Sequence, residues 1–197
     1  ASPVSFHLVG GAPQIGNLVP HPLSGQGTET LVDNYAFDGE TLAKVEWTNH
    51  RLMYVSPTLK EDIHISGTAS VTIKASSSKP AVNLSIWVVS LPWNGRRDAK
   101  ITDNIITRGW ADLQNFKSLT ESEPLVPGQF YEMTFDLQPD DQIIPAGQQI
   151  GLMIFSSDKN FTLWPDPGTE LTVDLDGTSI TLPIVGGEKA LMGAMMR

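Results

Sequence analysis

Ile63 to Leu91 reads IHISGTASVTIKASSSKPAVNLSIWVVSL and holds two different β signatures on either side of one turn. In the first, Ala69, Val71, Ile73 and Ala75 alternate with Thr68, Ser70, Thr72 and Lys74, the period-two pattern of a strand with one buried and one wet face. Lys79-Pro80 then turns the chain, because proline fixes φ and removes a ladder donor. In the second, Val82–Leu91, the residues Leu84, Ile86 and Val88 share one face while Trp87, Val89 and Leu91 make the other apolar too. That predicts a central strand covered on both sides.

The same periods recur on both sides of this stretch. Leu52–Val55 predicts a short strand stopped by Ser56-Pro57. Phe130 to Leu137 alternates, with Tyr131, Met133, Phe135 and Leu137 against Glu132, Thr134 and Asp136. Ile150–Phe155 is an apolar run of strand length. Glu170–Leu175 and Thr178–Leu182 flank Asp176-Gly177, a strong hairpin signal. Asp140-Asp141, between Pro139 and Pro145, reads as a solvated turn, and Gly39 to Val45 as a short amphipathic helix or turn. Eight or so strands with almost no helix-period segment predict an all-β fold, a jelly-roll β-sandwich.

The expected organisation is an irregular N-terminal arm over 1–27, a sandwich over 28–187 and a loose tail over 188–197. The arm is inferred from Gly10, Gly11, Gly16, Gly25, Gly27, Pro3, Pro13, Pro20 and Pro22. At 197 residues and 40% hydrophobic, the chain can bury one good-sized core. The formal net charge of −9 disfavours nucleic acid or an anionic membrane as partner, since either would be repelled over most of the surface. No run approaches the roughly 18 apolar residues of a membrane helix. The absence of cysteine excludes disulfides and thiolate metal sites and suits a reducing cytosol. The start, ASPVSFHLVG, lacks the features of a signal peptide and reads like a cut inside a longer chain.

Catalytic motifs are missing. No G-x-S-x-G pentad offers a nucleophile elbow. His7, His21, His50 and His64 stand in four contexts without helical ligand spacing, and Asp174-Leu175-Asp176-Gly177 starts like a calcium loop but lacks its later ligands. No catalytic residue, cofactor or metal is therefore expected. The sequons at Asn83 and Asn160 read as chance matches.

The candidates for a binding or docking surface are Trp93, Trp110 and Trp164, which stand near turns, and Arg108. Alternation places Arg108 and Trp110 on one strand face, close enough for the guanidinium to lie beside the indole. Flat tryptophan rings can also stack on sugars, which keeps a carbohydrate- or ligand-binding jelly-roll module as the alternative.

Several segments taken in order, SGTASVTIKASSSKPAVNLSIWVVSLPWNG, ITRGWADLQN, PLVPGQFYEMTFDLQPDDQIIPAGQQIGLMIFSSDKNFTLWPDPGTELTVDL and TLPIVGG, resemble the C-terminal domain of the Xaa-Pro dipeptidyl-peptidase family. They are similar, more loosely, to the matching domain of the cocaine esterase and acylase hydrolases. The resemblance spans about Leu52 to Gly187. It departs at Gln148, where the broad family commonly has His, and in the tail ALMGAMMR. It implies a galactose-binding-like sandwich carried behind an α/β-hydrolase domain that supplies the Ser, Asp and His of the triad and the peptide pocket. It further implies a cytoplasmic, often homodimeric serine exopeptidase that releases Xaa-Pro dipeptides from unblocked N-termini, with this part inactive alone and structural or docking in role. ITRGWADLQN then marks a strand with a glycine-permitted bend.

Overall fold

The computed structural model describes residues 1–12 and 14–196. Its strands are β1 (Ser2–Val9), β2 (Gly16–Val19), β3 (Thr28–Val32), β4 (Leu52–Val55), β5 (Ile63–Gly67), β6 (Ser70–Ser77), β7 (Asn83–Leu91), β8 (Ile105–Asp112), β9 (Tyr131–Asp136), β10 (Asp140–Ile144), β11 (Gln149–Phe155), β12 (Glu170–Asp174) and β13 (Ser179–Ile184). Two helices join them, α1 (Gly39–Lys44) between β3 and β4, and α2 (Gly187–Met196) after β13.

The architecture is the all-β sandwich expected. One hydrogen-bonded path runs β3-β12-β6-β13-β1-β2-β4-β11-β7-β8, with β9 added to β6 and the β5–β10 pair joined to β13. The inward residues of β6 (Val71, Ile73, Ala75) and of β7 (Leu84, Ile86, Val88) meet in one core with Leu152, Ile154, Leu171, Val173 and Leu182. β7 pairs β11 on one edge and β8 on the other, and both of its faces are apolar because one lines this core and the other is covered from outside. Its outward residues Trp87 and Val89 join Met53, Val55, Met153 and Phe155 in a second, smaller cluster roofed by Leu42 and Ala43 of α1.

Four expectations are corrected. First, residues 1–27 are not an irregular arm. Val4, Phe6 and Leu8 of β1 are core residues, β1 pairs β13 along Ser2–His7, and β2 carries the path on to β4 in parallel. Second, the tail is not loose but helical, burying Leu191 and Ala194 and packing on β1, β13 and β5. Pro13 of the expected arm and Arg197 of the expected tail lie outside the described residues. Third, Asp140-Asp141 is no turn but the start of β10, paired with β5 from Asp140↔Gly67 to Ile144↔Ile63.

Asp176-Gly177 closes no hairpin either. β12 and β13 both lie along one edge of β6, with Val173 opposite Ala75 and Ser179 opposite Thr72. The two are a single long strand with residues 174–178 looped out against Ile73 and Lys74. A type I′ turn requires positive φ at both central residues. No non-glycine residue here has it, and Gly177 is not among the glycines that do. The loop-out is instead tied by Thr178, whose hydroxyl donates to the Asp174 carbonyl at 2.7 Å and accepts from the Lys74 amide at 3.2 Å.

α1 is short and depends on its ends. The Asp38 carboxylate caps it, accepting from the Thr41 amide at 2.8 Å, and this bond holds the Asp38 carboxyl below its usual range. The Arg51 side chain, fully buried, closes the other end by donating to the carbonyls of Leu42 (3.2 Å) and Val45 (2.7 Å), and reaches Gln14 at 2.9 Å. The helix lies so close to the sheet that a methyl on Gly39 would sit 2.2 Å from Cζ2 of Trp87. Gly39→Ala is therefore expected to lower stability by about 1–3 kcal/mol through overpacking. The measurement is thermal unfolding followed by tryptophan fluorescence, and an unchanged midpoint would show that α1 can lift freely.

Candidate functional site

β8 sets Arg108 and Trp110 two residues apart on its outward face, and β7 sets Trp87 opposite Arg108 in the ladder. The guanidinium carbon of Arg108 lies 5.3 Å from the Trp87 ring centroid, 5.7 Å from that of Trp110 and 4.8 Å from that of Phe161. Arg108 is thus held over three aromatic faces, a cation–π arrangement. Gly109 between the two leaves room for Leu137, whose Cδ2 would be 2.4 Å from an added Cβ.

Beneath these rings lies Asp158, fully buried at the head of the loop after β11. Its Oδ2 accepts from the indole N–H of Trp87 and of Trp110, each at 3.0 Å. Burial pushes its carboxyl above the ordinary value, against the opposing pull of the two indole bonds and the Arg108 charge. The loop that follows is fixed at several points. The Thr162 hydroxyl accepts from the Asp158 amide at 2.9 Å, and Asn83 donates to the Leu163 carbonyl at 2.9 Å. The Asp33 carboxylate, itself buried, accepts from the amide and the hydroxyl of Ser157 at 2.8 and 2.7 Å.

This anchored loop presents apolar side chains outward. Phe161 stacks on Trp110 with centroids 4.7 Å apart and is 52% exposed. Leu163 is 87% exposed and Trp164 58%. Trp164 stacks on Tyr35 at 5.3 Å and donates its N–H to the Lys159 carbonyl at 2.9 Å. Two residues beyond Tyr35, Phe37 stacks on His50, and both line a 270 Å³ groove with Val45 and Trp47, the latter 63% exposed. The face therefore runs from Trp47 through Phe37, Tyr35, Trp164 and Leu163 to Phe161 and Arg108.

Of the residues singled out in the sequence, Arg108, Trp110 and Trp164 come together at this loop. Trp93 does not join them. It packs on the second cluster, with Lys44 Nζ 5.6 Å from its ring centroid. Sequence reasoning missed Asp158, Tyr35, Phe37, Trp47, Phe161 and Leu163. Of the four histidines, His7 and His21 lie near enough that His21, after burial, helps lower the His7 pKa, whereas His64 pairs with Asp141 across the β5–β10 ladder and His50 Nδ1 meets the Val32 carbonyl at 2.8 Å. Asp174 pairs with Lys74 at 2.8 Å, and Asp176 accepts from the amides of Gly25 and Gln26. Among the described residues no group of three or more His, Asp or Glu is placed to hold a metal ion, and no helix is long and apolar enough to cross a membrane.

The profile of the X-Pro dipeptidyl-peptidase C-terminal non-catalytic domain matches residues 1–191. The chain belongs to this family. Within it, a relative from Rhodopirellula baltica named as an Xaa-Pro dipeptidyl-peptidase is 59% identical over 187 residues, 95% of this chain and 30% of the relative. One from Bacillus cereus with the same name is 40% identical over 136 residues, 69% of this chain and 22% of the relative. The chain thus spans less than a third of these curated relatives. Among solved structures, an aminopeptidase from a Thaumarchaeota archaeon superposes with TM-score 0.70 at 15% identity, covering 93% of this chain and 37% of that one. An α-amino acid ester hydrolase superposes with TM-score 0.69 at 16% identity, covering 94% and 36%. At such identities the likeness is one of fold. The matched family is described as a non-catalytic domain, in keeping with the missing nucleophile elbow.

Proposed function

We propose that this domain docks on the α/β-hydrolase domain of a serine exopeptidase that releases Xaa-Pro dipeptides from unblocked peptide N-termini, and that the docking surface is the aromatic face from Trp47 to Phe161. The reading includes a cytoplasmic, homodimeric parent enzyme whose peptide substrate is bound by the hydrolase domain. The observation that carries it is the exposure of Trp47, Leu163, Trp164 and Phe161 along one anchored surface. Large apolar side chains held rigidly in water mark an interface, and the relatives carry more than two-thirds of their length outside the matched region.

The sugar-binding alternative has less to stand on. The rings of Trp110 are already engaged by Phe161 and Arg108, and Trp164 by Tyr35.

The test compares the 197-residue chain with the full polypeptide by amide hydrogen exchange. Docking predicts slower exchange over residues 158–164 and 45–50 in the full polypeptide, together with turnover of Ala-Pro-p-nitroanilide only when the hydrolase region is present. Equal exchange in both forms at every segment would sink docking, and turnover by the chain alone would overturn its non-catalytic role.

A further inference from the structure

Arg108 is unusual among the cations of this chain because its position is fixed while its hydrogen-bonding capacity is unused. Among the described residues, its guanidinium makes no hydrogen bond and no salt bridge; its contacts are the rings of Trp87, Trp110 and Phe161 and the longer-range attraction of Asp158. None of its nitrogens is among the buried polar atoms that lack a partner, so the N–H donors reach solvent. A guanidinium offers five donors in a planar fork matched to a carboxylate. Three aromatic faces have already immobilised this one, so little further side-chain entropy is lost when a partner arrives.

The surroundings favour an anion over a neutral acceptor. Asp158, whose charge acts on Arg108, is buried and spends Oδ2 on two indole N–H groups while Oδ1 has no hydrogen-bond partner, and Asp140 lines a groove beside Arg108. Lys159, beside it in sequence, places a second cation at the loop and donates to the Ala36 carbonyl. In a chain of formal charge −9, this loop end of the aromatic face therefore offers positive charge to what approaches it. The exposed ring of Phe161 rims the position and would exclude water from a contact made there.

We propose that Arg108 is the polar anchor of the docking face and receives a carboxylate side chain of the hydrolase domain in a bidentate pair. This rests on the docking reading above and adds to it the chemistry of the partner. The occupant is the hydrolase domain because the relatives have most of their length outside this domain, and a partner in the same polypeptide needs only one well-formed contact to stay seated.

The experiment uses the full polypeptide and three forms of position 108: wild type, Arg108→Met, which keeps an apolar stem over the rings, and Arg108→Lys, which keeps the charge without the fork. Hydrogen exchange is read over residues 158–164, and thermal unfolding is read on the 197-residue chain. The expected result is that Arg108→Met speeds exchange of the segment by about tenfold or more in the full polypeptide, as loss of one partner of a desolvated charge pair implies. Arg108→Lys should fall between, and the unfolding midpoint of the 197-residue chain should move little with either. Protection of 158–164 that survives Arg108→Met would overturn the anchor while leaving docking intact. Protection in the wild type confined to other segments would overturn both the face and the anchor. Equal loss of stability by Arg108→Met in the chain alone and in the full polypeptide would reduce Arg108 to a structural role. Saturable binding of acetate or of a peptide C-terminus to the chain alone, abolished by Arg108→Met, would overturn the hydrolase-domain partner in favour of a small carboxylate ligand.

Discussion

Arg51→Met is expected to lower the stability of the domain by about 3 kcal/mol, a fall in melting temperature of about 6–12 °C for a chain of this size. The guanidinium is buried and donates to the carbonyls of Leu42 and Val45 at the end of α1 and to Gln14 near the β1–β2 turn. Helix ends leave carbonyls that need donors, and α1 has only six residues in which to satisfy them. Burial draws the Arg51 pKa down to about 10, so the group remains charged at neutral pH and carries a desolvation penalty that methionine would relieve. Methionine supplies volume but no N–H, and carbonyls left without donors outweigh that relief. Loss of α1 would also uncover Trp87 and Met153 of the second cluster. Tryptophan emission should therefore shift to the red in the native baseline before global unfolding. A midpoint within 2 °C of wild type, about 1 kcal/mol or less, would show that water or backbone adjustment replaces the arginine.

What could be read in advance depended on how far each residue's partner lay along the chain. The alternations at 69–75 and 131–137 were legible because one side of each strand faces the core and the other faces water. The two-faced apolarity of 83–91 was legible because both sides of that strand are buried, although nothing local could say that α1 would cover its outer side. β1 carried its own signal, Val4, Phe6 and Leu8 alternating with Ser5 and His7, but the glycines and prolines after Val9 dominated the reading of that region. Its partner, β13, lies at the other end of the chain. β10 was hidden because an outer strand can keep Asp140, Asp141 and Gln142 and still pair. The helical spacing of Leu191 and Ala194 was present in the tail, but its packing surface is made by β1, β13 and β5. Asp176-Gly177 misled for a different reason: a turn signal states a local preference, and β6 offered both flanking segments one shared edge.

The site divided along the same line. Arg108 and Trp110 stand two residues apart, so the strand period alone put them on one face. Asp158 is a lone acid in a loop, joined to Trp110 across 48 positions and to Trp87 across 71. No spacing rule connects them. The half-buried Tyr35 and the exposed Phe37 and Trp47 lie in the mixed segment before β4, where composition gives no period to read.

Asp158→Ala should be the most damaging single change at the docking face, lowering stability by about 3 kcal/mol, because it leaves the buried Trp87 indole N–H and the part-buried one of Trp110 without their acceptor. The same carboxylate begins the loop that carries Phe161, Leu163 and Trp164, so its loss should also free that loop to exchange and weaken docking. Asp158→Asn keeps an oxygen for the indoles and removes the buried charge, and is expected to recover more than half of the loss. The pH dependence separates charge from geometry. Because the folded state raises the Asp158 pKa above 3.8, it binds the proton more tightly than the unfolded chain does. Between that ordinary value and the raised one, wild-type stability attributable to this group therefore rises as pH falls and declines as pH rises. Asp38 and Asp174 are shifted downward and act in the opposite sense, so wild type as a whole still loses stability in acid. The informative quantity is the difference between wild type and Asp158→Asn, measured by urea unfolding from pH 7 down to pH 4. Wild type should gain on the variant as the pH drops through the window. A difference that stays constant with pH would mean that Asp158 holds its proton no more tightly in the folded state than in the unfolded chain, its burial offset by Arg108 and the indole bonds, and a pH-dependent difference that appears only in the Arg108→Met background would assign that offset to Arg108.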